Sequence, residues 1–86
     1  MFIAYKSEIP PARGVEIARA DTLDGAIAAA SELYAAMGWQ LVHAEHDAEN
    51  EGCADMCFSR GRLLMTILCV EPIARAAKHA RLVEEA

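Results

Sequence analysis

Apolar and polar positions alternate in short runs along most of this chain and settle into helical spacing in two stretches only. Phe2-Ile3-Ala4-Tyr5-Lys6 reads as a strand near 2–6. Pro10-Pro11-Ala12-Arg13-Gly14 breaks regular structure, because proline removes a donor and glycine relaxes the backbone. Val15-Glu16-Ile17-Ala18-Arg19 alternates again and predicts a strand near 15–20, paired with the first as a hairpin. Asp21-Thr22-Leu23-Asp24 opens a helix near 22–37. Asp21 or Thr22 can cap its free amides, and Asp24 suits the first turn. Leu23, Ala26, Ile27, Ala30, Leu33, Tyr34 and Met37 then form one stripe, and Gly38 is a natural stop.

Beyond Gly38 the period returns to two. Strands are expected near 39–45 and 53–59, with a polar loop from His46 to Gly52 between them. Ser59-Arg60-Gly61-Arg62 signals a tight hairpin. Leu63 to Val70 is apolar on both faces and predicts a central strand near 63–70. Glu71-Pro72 reads as the start of a second helix near 72–84, with Ile73, Ala76, Ala77, Ala80 and Val83 as its stripe. The expected fold is a single α+β domain over residues 1–86: a largely antiparallel sheet of about five strands with two helices packed on it. Leu23, Ile27, Leu33, Tyr34, Leu41, Met56, Phe58, Leu63, Met65, Ile67 and Ile73 are the expected core. Two short helices cover one sheet face well, so a second copy of the chain is expected on the other, giving a homodimer.

Composition narrows the class. Of the 86 residues, 55% are hydrophobic, which argues against disorder. The N-terminal apolar run is too short for a signal peptide, and no stretch has the roughly 20 apolar residues of a membrane span. Three cysteines, an odd count, fit reduced thiols in a cytoplasmic protein that does not engage membranes.

The net charge of −5 is unevenly placed. Between Ala20 and Ser59 there is no Lys or Arg, while Asp21, Asp24, Glu32, Glu45, Asp47, Glu49, Glu51 and Asp55 all occur. From Arg60 onward bases exceed acids. An acidic middle repels phosphates, so direct nucleic-acid binding is not expected.

Four zinc-type ligands, His43, His46, Cys53 and Cys57, fall within fifteen residues. Their spacing opposes a shared ion. Histidines three apart on a strand point to opposite faces, and two cysteines four apart on one sit about 13 Å from each other. Asp47-x-Glu49-x-Glu51-Gly52 opens like a calcium loop, but its twelfth position is Phe58 rather than a bidentate Glu. Cys53 or Cys57 could meet His43 or His46 across a hairpin, yet acidic neighbours raise a thiol pKa and blunt its nucleophilicity. No cofactor and no enzymatic activity are expected. Arg75, Lys78, His79 and Arg81 read as the polar side of the last helix.

The stretch Glu45-His46-Asp47-Ala48-Glu49-Asn50-Glu51-Gly52-Cys53-Ala54-Asp55, followed by Phe58, Arg60-Gly61-Arg62 and an apolar strand, resembles small acidic phage and mobile-element inhibitors of host defence, the anti-CRISPR proteins. The resemblance implies binding and occlusion of a host nucleoprotein complex rather than catalysis. On that reading Glu45, Asp47, Glu49, Glu51 and Asp55 are the interaction residues, presented to a basic surface. The alternatives are a homo-oligomeric accessory subunit and a small metal or thiol site built from His43, His46, Cys53 and Cys57.

Overall fold

The computed structural model describes residues 1–6, 14–78, 80 and 81, with the side chains of 64–67, 80 and 81 excepted. Strands β1 (Phe2–Lys6) and β2 (Gly14–Ala20) precede helix α1 (Leu23–Ala36). Strands β3 (Gln40–His46), β4 (Ala54–Arg60) and β5 (Leu63–Pro72) follow as a meander. A single helical turn, α2 (Ile73–Ala76), and a two-residue strand, β6 (Ala80–Arg81), come last.

The sheet order is β3-β4-β5-β1-β2-β6. The five longer strands pair antiparallel throughout, and only β6 joins in parallel, on β2. This is the expected α+β architecture with five principal strands.

Helix α1 forms where the capping signals place it. Thr22 takes the N-cap, its hydroxyl accepting from Gly25 N–H at 3.0 Å. At the far end Trp39 N–H donates back to Tyr34 C=O at 2.9 Å, and Gly38 turns the chain at φ 87°. That left-handed exit suits glycine. The helix touches β1, β2, β3 and β5, which include both outer strands of the antiparallel set, so the sheet curls around it. Ala26 and Ala30 face the sheet and are fully buried, since their small side chains permit close approach. Tyr34 stacks on Phe58, and Ala4, Ala54, Met56, Leu68 and Val70 complete the core. A smaller cluster of Ile3, Tyr5 and Ala76, with Cys69 and Ile73 against it, lies on the opposite face.

Two expectations need correction. The second helix does not run over 72–84. β5 continues through Glu71 and Pro72, which pair with Ile3 and Phe2; among the described residues of that stretch only Ile73–Ala76 is helical, and 79 and 82–84 lie outside the described residues. Pairing with the N-terminal strand overrides the local helix signal there. Second, Leu33, Leu41 and Leu63 are exposed rather than core. They sit at the end of α1, on the outer strand β3 and beside the β4–β5 turn, where no described layer covers them. Leu23, Ile27 and Ile73 are partly buried and pack against the two core clusters, in line with expectation. The side chains of Met65 and Ile67 lie outside the described set. No helix among the described residues is long and apolar enough to cross a membrane.

Candidate functional site

The acidic residues gather at the β3–β4 turn. Glu45 and Asp55 are cross-strand partners on the sheet face away from α1. Between them the chain makes a turn closed by its own hydrogen bonds. Asp47 Oδ1 accepts from the amides of Glu49 at 2.8 Å and Asn50 at 3.3 Å. Asp47 Oδ2 accepts from Asn50 Nδ2 at 3.0 Å. The backbone closes the loop twice, Asp47 N–H to Cys53 C=O at 2.9 Å and Cys53 N–H to Asn50 C=O at 3.1 Å. Gly52, at φ 82°, supplies the left-handed residue the turn requires. The hydrogen bond from Asn50 and those from the amides, with Arg75 nearby, hold the Asp47 carboxyl below its usual range.

The five carboxylates therefore divide by role. Asp47 shapes the turn. Glu45, Glu49, Glu51 and Asp55 are exposed and face solvent. Glu45, His46, Asp47, Ala48 and Asp55 line an open concavity of about 260 Å³. Arg75 returns from α2 to this turn, and its Nη1 donates to Cys53 Sγ at 2.7 Å. Sequence reasoning missed this contact by placing Arg75 on a solvated helix face. The two residues are 22 apart and only the tertiary fold brings them together.

The four zinc-type ligands do not converge. His43 is the register partner of Cys57 across β3 and β4, one of the pairings the sequence left open. His46 instead opposes Ala54 and lies 4.0 Å from Asp24 at the start of α1. Cys53 is buried beside Arg75. No group of three or more His, Cys, Asp or Glu among the described residues is placed to hold a metal ion. His43 Nε2 lies 3.3 Å from Glu45 Oε2, and both side chains are exposed.

A second polar group sits on the same open face. Tyr5 OH donates to Glu71 Oε2 at 3.1 Å, and Cys69 Sγ donates to Asp55 Oδ1 at 3.4 Å. Burial, helped by the hydrogen bond to Asp55 and its charge, pushes the Cys69 thiol from 9.0 up to about 11. Burial, with Cys69 and Glu71 adjacent, also raises Tyr5 well above the usual phenol range. Both groups stay protonated at neutral pH, so Cys69 is a poor nucleophile there.

No protein-family model matches the chain, and no curated protein or solved structure matches it.

Proposed function

We propose that this chain is a non-enzymatic binding protein whose acidic turn docks on the basic surface of a protein or nucleoprotein complex. It acts as an inhibitor of the anti-CRISPR kind, filling ground that nucleic-acid phosphates would occupy. The observation that carries this reading is the turn itself. Glu45, Glu49, Glu51 and Asp55 project from one end of a hairpin, around a loop that Asp47 and Gly52 hold closed. Exposed like charges at a fixed site steer encounter and select partners more than they add affinity.

The test is a charge reversal that respects the geometry. Glu45, Glu49 and Glu51 are changed together to Lys while Asp47 is kept, because Asp47 accepts the bonds that shape the turn. The fold should survive, since exposed substitutions cost little. Capture of a basic nucleoprotein complex should fall, chiefly through a slower on-rate, and unmodified binding should weaken as salt rises. Normal binding by the triple variant across salt concentrations would refute the reading.

Self-association is a second reading, favoured by a specific observation. Leu33, Met37, Leu41, Val42 and Leu63 are exposed at one end of the molecule, around the start of β3. A second copy would cover them.

A further inference from the structure

The self-association reading can be taken to a particular surface. β3 ends the sheet on one side, and among the described residues nothing pairs with its outer edge. All seven of its residues are exposed, Leu41 at 42% and Val42 at 59%. An uncovered edge with apolar side chains offers its free amides and carbonyls to another strand. Val42 is the extra residue of a bulge, because Leu41 opposes Phe58 and His43 opposes Cys57. The regular edge therefore runs from His43 to His46. Charge also differs between the two ends of this edge. The acidic turn follows its C-terminal end. Before its N-terminal end, the Arg60 guanidinium lies 4.8 Å over the Trp39 ring.

We infer that β3 is a self-complementary edge, through which two copies of the chain pair antiparallel about a two-fold axis at Ala44 to form one continuous sheet. This rests on the self-association reading and shares only Glu45 with the acidic-turn reading. Antiparallel pairing sets the acidic end of each strand beside the Arg60 end of the other. An axis at Ala44 places His43 opposite the second copy's Glu45, and the reverse, on the face away from α1. His43 and Glu45 already lie 3.3 Å apart within one chain, so the pairing sets them in a two-by-two block in which His and Glu alternate. A histidine ring N–H can donate to a carboxylate directly across a strand pair, whereas two carboxylates set opposite each other repel. The added strand also sets Val42, which one chain leaves in water, opposite the second copy's His46.

Sedimentation velocity and light scattering on the full chain at micromolar concentration test this. The expected species has twice the 9.3 kDa chain mass. His43→Glu sets two acids against each other at both symmetric positions and should weaken the dimer about tenfold or more. Combining it with Glu45→Lys restores the alternation and should recover the dimer. Val42→Lys, a change at an exposed bulge, should also give monomers while thermal melting shows the fold intact. A monomeric unmodified chain would overturn the self-association reading and this inference together. A dimer indifferent to Val42→Lys and to His43→Glu would keep self-association and overturn the β3 edge alone.

Discussion

Tyr34 stacks on Phe58 with ring centroids 5.0 Å apart and planes inclined by 29°, joining the last turn of α1 to β4, the strand beside the outer strand β3. Phe58 is fully buried among Met56, Leu68 and the helix alanines. Offset aromatic pairs of this kind add to what burial alone contributes. Phe58→Ala should destabilise the chain by about 3–5 kcal/mol in a denaturant titration. A loss under about half a kcal/mol would show that the helix does not depend on this contact.

Gly14 is required for space rather than for backbone conformation. A Cβ built there would lie 2.5 Å from Lys6 O and 2.6 Å from Tyr5 Cδ2. Neither neighbour is the loose end of a flexible chain, so β1 and β2 would have to separate. Gly14→Ala should cost about 1–3 kcal/mol, as overpacking does. Thermal melting that leaves Gly14→Ala as stable as the parent would contradict the close approach of these strands.

Alkaline pH should weaken the fold. The folded chain keeps Cys69 protonated to about 11, whereas an unfolded thiol ionises near 9.0. The folded pKa is the higher one, so this contribution is fully present below pH 9 and is lost as pH rises towards 11. The raised Tyr5 phenol extends the loss above its ordinary 10.0. Asp55→Asn removes a hydrogen-bonded charge beside Cys69 and should bring the thiol pKa down, as followed by thiolate ultraviolet absorbance. An unmoved thiol titration would mean that Asp55 does not act on Cys69.

Acid should open the turn. The Asp47 carboxyl titrates below its usual range because the folded state bonds its charged form. The depressed value means that its stabilisation is present above the ordinary carboxylate pKa and is lost as pH falls through the folded one. Protection of the Glu49 and Asn50 amides against hydrogen exchange should therefore drop in acid, and drop at neutral pH in Asp47→Ala. Fast exchange of both amides at neutral pH in the unmodified chain would show that the Asp47 bonds do not form.

How much of this was legible depended on the range of the interactions. Helix α1 could be read because its cap, its stripe and its glycine stop all lie within the element. Gly61, at φ 61°, likewise turns the β4–β5 hairpin where Ser59-Arg60-Gly61-Arg62 signals it. The second helix is signalled by Pro72 at a first helical position and by the apolar stripe that starts at Ile73 and Ala76, both local features. What decides Glu71 and Pro72 is their pairing with Ile3 and Phe2, which no local window contains. Periodicity assigned Leu33 and Leu41 to an apolar face but could not say how far the covering layer reaches. The acidic cluster was visible as a run of carboxylates. Asp47's role in shaping the turn and Arg75's return to it needed the fold.

The position of β1 has a kinetic consequence. It lies between β2, its neighbour in sequence, and β5, whose Glu71 carboxylate meets Tyr5 across 66 positions of chain. The N-terminal hairpin and the β3–β5 meander can each form locally, but the sheet joins only when the two meet. Closing so long a loop carries its entropic cost before the contacts that reward it exist. Folding should accordingly be slower than in helical domains of this size, on the order of milliseconds to seconds. On the ribosome, the inner edge of β1 must wait until Pro72 has been made and has emerged. During that wait the half-built sheet has two halves with open edges, and the risk of mispairing with another nascent chain is concentrated there.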